Sequence, residues 1–325
     1  MCRLSTVAPL PALAAALFAF SSLALAQSWP SRPITIVVSQ AVSTAPDFVA
    51  RTLSVHLAEN LKVAVVVDNK GGASGNIGAE YVAKAAPDGY TLFVAPSSLS
   101  TNAAVNRKLR FDAVKSFTPI LPLAEGLQSL VVSTNSPVKS VKELVALVKA
   151  QPGKLFYATP GNGTIHHLIM EQFKLEAGMD LVHVPYKGLT GGVTDLIGGR
   201  VNVMFITVAA AVPFVQQGKM RMLAVIMPKR SRLLPDMPTL AEQGYPKVLA
   251  GSWYGMLAPA GVPAEIVSRL NSELNAILAE KEVKDSFAKQ SLEATGGTPA
   301  RMAAILQTEL DRWRKIADAA RITAD

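Results

Sequence analysis

An α/β fold built on open parallel sheets is predicted by three observations. Short β-branched runs alternate with segments of helical period, the pattern of βαβ units. Polar loops rich in Ser, Thr, Asn and Gly follow several of these runs, at the carboxyl ends where open sheets hold their ligands. Of the 325 residues, 50% are hydrophobic and one is cysteine, so a large apolar core and not a disulfide scaffold must hold the chain.

The chain opens with Arg3 as the one charge before Arg32, an apolar stretch from Val7 to Phe20, and Leu23-Ala24-Leu25-Ala26. This reads as a secretory signal peptide over 1–26, cleaved after Ala26. Two prolines and Ser21-Ser22 shorten the apolar run below a membrane span. Cleavage removes Cys2, and the remainder is expected to be exported.

Ile34 to Val38 reads as a buried strand, followed by a polar loop from Ser39 to Ala45. Thr44-x-x-Asp47, with Pro46 in the first turn, reads as a capping box for a helix carrying Phe48, Val49, Leu53 and Leu57. Val63 to Val67 is a second strand. The glycine-rich turn Gly71 to Asn76 opens a helix from about Ile77 to Ala85, and Thr91 to Ala95 is a third strand. The middle repeats the theme, with strands at Leu127–Val132, Leu155–Thr159, Leu181–Val184 and Val201–Phe205. Helices between them cover Val141–Lys149, Thr164–Ala177 and Val193–Ile197; Ser140 and Glu143 cap the first of these. The chain is expected to cross back after Met222 to Ile226. Two amphipathic helices close the sequence, the second starting at Pro299 behind Thr298.

Most catalytic chemistries lack their residues. His56, His166, His167 and His183 are the only histidines. His166 and His167 point about 100° apart on a helix and cannot chelate together. There is no H-E-x-x-H, no G-x-S-x-G and no Walker A. Gly72-x-x-Gly75-x-x-Gly78 is not the dinucleotide spacing and reads as a tight strand-to-helix turn. No metal and no cofactor is expected, and the chain does not read as an enzyme. The net charge is +8, but Lys229-Arg230-x-Arg232 and Arg312-x-Arg314-Lys315 are short and separate, so nucleic acid is not expected either.

What remains is a set of polar loops at strand ends, from which the candidate ligand-binding residues are drawn: Gln40, Ser43 and Thr44; Ser97 and Ser98; Thr159, Asn162, Gly163 and Thr164; Ile206 and Thr207. Two of these loops feed helix N-termini, where free N–H groups and the helix dipole favour an anion. Hydroxyl, amide and backbone donors with little fixed charge suit a small carboxylate. Asp47 is expected to cap its helix, Tyr186 to pack, Lys187 to be solvated and His167 to sit on a helix surface.

Several stretches carry a resemblance: Val66 to Ala79 (VVDNKGGASGNIGA), Ala85 to Leu92 (AAPDGYTL), Gly161-Asn162-Gly163-Thr164, Val184 to Gly188 (VPYKG), Asp195 to Gly199 (DLIGG) and Trp253 to Pro259 (WYGMLAP). From Trp29 to its end the chain resembles the Bug family of periplasmic solute-binding receptors associated with tripartite tricarboxylate transporters. The resemblance implies a type II periplasmic-binding-protein fold, two α/β lobes with two crossovers and a ligand cleft between them. Lobe 1 is placed at 27–123 plus 227–325 and lobe 2 at 124–226, with crossovers near Leu123-Ala124 and Val225–Met227. It also implies a periplasmic receptor that takes a small carboxylate and hands it to inner-membrane transporter subunits. An orphan ligand sensor acting on a signalling partner is the alternative.

Two departures from the family pattern bear on the ligand. Ser43-Thr44 stands where the family has a glycine pair, giving up close backbone approach for two hydroxyls. Ile206 stands where Asp is common, so a ligand ammonium would lack its countercharge. A carboxylate without a free amino group, apolar-bodied or aromatic, is therefore expected.

Overall fold

The computed structural model describes residues 29–249 and 251–323; the expected signal peptide lies outside the described residues. The chain forms two sheets. In order, its elements are β1 (Ile34–Val38), α1 (Ala45–Leu61), β2 (Val65–Asn69), α2 (Asn76–Ala83), β3 (Thr91–Pro96), α3 (Ser98–Val105), β4 (Phe117–Gly126), β5 (Gln128–Ser133), α4 (Val141–Ala150), β6 (Phe156–Thr159) and α5 (Ile165–Ala177). There follow β7 (Val182–Pro185), α6 (Leu189–Ile197), β8 (Val203–Thr207), α7 (Val208–Gln216), β9 (Met220–Val225), β10 (Ser252–Pro259), α8 (Ala264–Ala279), α9 (Lys281–Lys289), β11 (Leu292–Ala294) and α10 (Pro299–Ala319).

The first sheet has the order β11-β4-β10-β3-β1-β2 and the second β7-β6-β8-β5-β9. The expected parallel pairings are present at β1 with β2 and β3, and at β6 with β7 and β8. Each sheet also has an antiparallel part, since β10 runs against β3 and β4, and β5 against β8 and β9. β4 keeps its ladder in the first sheet up to Gly126, which pairs with Leu292 and Ser252. The chain therefore changes sheet at Leu127, a few residues after the expected crossover. It returns through residues 226–251, of which Thr239 bridges back to Val225.

Burial explains the sheet order. β1 and β3 are almost wholly enclosed between helix layers, as their continuous apolar runs require. Ile34, Ile36, Val38, Leu53, Leu57, Leu270 and Leu274 pack α1 and α8 against one face of the first sheet. Phe93, Phe173, Phe205 and Trp313 belong to a core cluster that spans both lobes. Met204, Ile206, Val193, Leu196 and Val208 form a third cluster under α6 and α7. No helix among the described residues is long and apolar enough to cross a membrane.

Candidate ligand cleft

Loops from both lobes enclose a cleft of about 810 Å³. Lobe 1 supplies the loop after β1 (Ser39, Gln40, Ala41, Thr44), the glycine-rich turn 71–76 and the flank of α3 (Ser98, Thr101, Asn102, Val105, Asn106). Lobe 2 supplies Pro160, Asn162, Gly163, Thr164, Ile165 and His166. The lobes touch here, since a β-carbon on Gly163 would lie 3.1 Å from Val105 Cγ2.

Three helices aim their N-termini at this space: α1 behind Thr44, α2 behind Gly75 and α5 behind Thr164. None of these N-cap residues caps its helix by a side-chain hydrogen bond. First-turn N–H groups have no partner inside a helix; Pro46 has none to offer and the Asn76 N–H donates to Ala73 O, which leaves the other first-turn amides as candidate donors to a ligand. The Thr44 hydroxyl donates to Ala41 O at 2.7 Å and the Thr164 hydroxyl to Gly161 O at 2.8 Å. Both hydroxyls thus spend their proton on shaping their loops. The expected Thr44–Asp47 capping box is accordingly replaced by another device. Asp47 accepts from Ser43 N at 2.9 Å, from Asn69 Nδ2 at 2.9 Å and from Arg51 Nε at 3.0 Å. Although burial opposes ionisation, these donors hold the Asp47 carboxyl below its ordinary range. Asn69 also donates to Gln40 O at 3.1 Å, tying the end of β2 to the same loop. Ser43 takes a φ of 68°, left-handed, at a position where the family pattern has glycine.

The glycine-rich turn does more than reverse the chain. A β-carbon on Gly78 would lie 2.7 Å from Lys70 O and 2.9 Å from Ser39 Cα, so α2 packs directly on the two loop backbones. Asn102 Nδ2 donates to Ser74 O at 2.6 Å and to Asn76 Oδ1 at 3.3 Å, locking α3 to the turn. Asp, Glu, Lys and Arg are all absent among the described lining residues, and His166 is the one titratable side chain. Both of its ring nitrogens are buried without a hydrogen-bond partner. Burial lowers its pKa to about 4, so it is neutral at pH 7. The positive field of the cleft therefore comes from helix ends and not from side-chain charge.

The structure brings six of the candidate residues to the cleft: Gln40, Thr44, Ser98, Asn162, Gly163 and Thr164. Ser43, Ser97, Thr159, Ile206 and Thr207 are not among its lining residues. Ser97 is buried and donates its N–H to Trp253 O. Thr159 is buried beside His183. Ile206 lies fully enclosed in the cluster under α6 and α7, so the countercharge argument from that position does not reach the cleft. Thr207 caps α7, accepting from Ala210 N at 3.3 Å. His167 is a further correction: it is buried, not on a helix surface. Tyr186 packs as expected, with its hydroxyl on Asp195 at 2.6 Å. Sequence reasoning missed His166, the glycine-rich turn and α3 as cleft elements. The polar face of Thr101, Asn102 and Asn106 was the available signal for α3.

A family model described as the tripartite tricarboxylate transporter family receptor, TctC, matches residues 49–322. The chain belongs to this receptor family. It is 33% identical over 299 residues to the UPF0065 protein in the tcbD-tcbE intergenic region of Pseudomonas sp. strain P51, covering 92% of this chain and 89% of the relative. It is 33% identical over 290 residues to BugT of Bordetella pertussis strain Tohama I, covering 89% of each. Among solved structures, Rpa4515 of R. palustris with adipate is 36% identical with a TM-score of 0.77, covering 91% of this chain and 99% of that one. MatC of Rhodopseudomonas palustris with bound malate is 29% identical with a TM-score of 0.73, covering 89% and 99%. TctC receptors are periplasmic solute-binding proteins, and the two-lobed α/β architecture is theirs.

Proposed function

We propose that this receptor captures a small carboxylate without a free amino group between its two lobes and delivers it to the membrane subunits of a tripartite tricarboxylate-type transporter. The residues we assign to contact are Gln40, Thr44, Ser98, Asn162, Gly163 and Thr164, with the N–H groups behind Thr44, Gly75 and Thr164 as the principal donors. We place lobe 1 at residues 29–126 and 252–323, around the first sheet, and lobe 2 around the second sheet.

One observation carries the reading: helix N-termini from both lobes face a cleft that has no acidic side chain among its described lining residues. Helix ends favour a carboxylate. An ammonium entering the same space would be desolvated without a countercharge, at a cost of several kcal/mol. Ile206 takes no part in this exclusion, being enclosed under α6 and α7. Adipate and malate, bound in the two related structures, are both carboxylates without an amino group. Calorimetric titration with adipate, malate, benzoate, aspartate and glutamate tests the proposal. Binding confined to the amine-free acids supports it, and tight binding of aspartate or glutamate refutes it.

A further inference from the structure

Behind the loop 160–164 lie two histidines that the binding role leaves unexplained. His167 on α5 and His183 on β7 stack with ring centroids 3.9 Å apart and planes 22° from parallel. Tyr157 on β6 stacks on His183 at 4.8 Å and 18°. Each histidine reaches the loop. The Gly163 N–H donates to His167 Nδ1 over 3.2 Å. His183 Nε2 lies 2.6 Å from Thr159 Oγ1, which in turn accepts from Gly161 N at 3.3 Å.

The first of these bonds fixes a protonation state. An N–H can donate to Nδ1 only while that nitrogen keeps its lone pair, so His167 carries its single proton on Nε2. Gly163 stands at a φ of 67° and immediately precedes the N-cap of α5. Its amide is the point at which the turn is pinned to the helix it opens. We propose that His167 is a positioning residue for ligand capture: its unprotonated Nδ1 holds the Gly163 amide, and with it the turn that aims the α5 N-terminus into the cleft. The proposal rests on the reading that this cleft takes a carboxylate.

Protonation would put a second donor at Nδ1, facing the Gly163 N–H across 3.2 Å, and the two must part. The stacked His183 makes a charge on His167 harder to hold when both rings are protonated. The charged and titratable groups acting on the pair are Tyr157 on β6 and Glu171 and Lys174 on α5, the latter two ion-paired at 2.7 Å. Burial, and then the Lys174 charge, lower His167 to about 4. Burial acts first on His183 as well, lowering it to about 4. The turn is therefore pinned at neutral pH and released in acid.

Two variants separate positioning from packing. His167→Asn places a carbonyl oxygen near the Nδ1 position and does not titrate. His167→Phe keeps the ring and loses the acceptor. With adipate as the probe at pH 7, His167→Phe is expected to bind about tenfold more weakly and His167→Asn within about threefold of the wild type, the worth of one hydrogen bond. Taking the ratio of wild type to His167→Asn cancels the ionisation of adipate itself. That ratio should fall about fourfold between pH 7 and pH 3.5, following the neutral fraction of His167. Full affinity in His167→Phe, or a flat ratio, overturns the proposal. The Gly163 amide signal in ¹H–¹⁵N spectra of the ligand-free protein gives an independent readout. It should move with the titration of His167 in the wild type and stay fixed in His167→Asn. If the wild type binds no carboxylate, the functional reading fails, yet the amide still decides the positioning claim: an amide indifferent to His167 overturns it.

Discussion

Lowering the pH from 7 to 5 is expected to destabilise this protein through three buried histidines. His166, His167 and His183 each have a pKa of about 4 in the folded chain, against an ordinary value of 6.5, with burial as the leading cause. The unfolded chain therefore binds protons first as pH falls. The histidine contribution is complete above about pH 6.5, is lost between 6.5 and 4, and falls no further below. By linkage each fully shifted histidine loses about 1–2 kcal/mol between pH 7 and pH 5. Allowing for solvent screening of the half-buried His183, we expect a total of about 3 kcal/mol. Glu125 and Glu309, both raised by burial, act in the opposite direction because they take up protons first in the folded state. Urea unfolding at the two pH values reads the net effect as a fall in midpoint at constant slope. Repeating it on His166→Leu removes one histidine and should cut the fall by about a third. An unchanged midpoint in the wild type, or an identical fall in His166→Leu, would refute the reasoning.

At pH 7, His166→Leu should be neutral or stabilising by up to about 1 kcal/mol, because it removes two buried unpartnered nitrogens; urea midpoints check this. Ser43→Gly should stabilise by roughly 1 kcal/mol, since glycine accepts the left-handed φ of 68° without penalty; an unchanged or lowered midpoint contradicts it. Gly78→Ala should destabilise by more than about 2 kcal/mol, because its β-carbon meets backbone and not a movable side-chain end. It should also weaken ligand binding by separating α2 from the loop at Ser39, as calorimetry would show. Asp47→Asn should cost about 1–3 kcal/mol by weakening the bonds to Ser43, Asn69 and Arg51. Part of that loss should already be present in the wild type below the ordinary carboxylate range, as Asp47 protonates.

Much of the architecture was legible because burial writes itself as pattern. The runs at Ile34–Val38 and Thr91–Ala95 are buried on both faces, and Ser140 and Thr298 cap α4 and α10 by accepting from Glu143 N and Arg301 N. β4 escaped because Pro119 and Pro122 interrupt it. Neither proline can donate to a ladder, and the strand accommodates them with register shifts against β10. α7 escaped because its segment is apolar on every side and contains Pro213. α3 escaped because SLSTNAAV has no apolar stripe of helical period.

The site was legible only as a set of loops. Thr44, Asn162 and Thr164 reached the cleft because a helix start after a strand end is a local feature. Ile206 and Thr207 did not, because the strand continues through them and α7 begins at once. The glycine-rich turn is held as a wall of the cleft by residues distant in sequence, Asn102 through its side chain and Ser39 through close packing. His166 and His167 differ by one position and have opposite fates, one lining the cleft and one stacked on His183. That division is set by the rotation of α5, which no composition or spacing specifies.

Carboxylate capture by helix N-termini is tested most directly by a crystal structure of the protein grown with adipate. A carboxylate of adipate within hydrogen-bonding distance of first-turn N–H groups behind Thr44, Gly75 or Thr164 is the predicted result. Adipate bound outside this cleft, or held in it by an arginine or lysine side chain with those N–H groups unused, would contradict it.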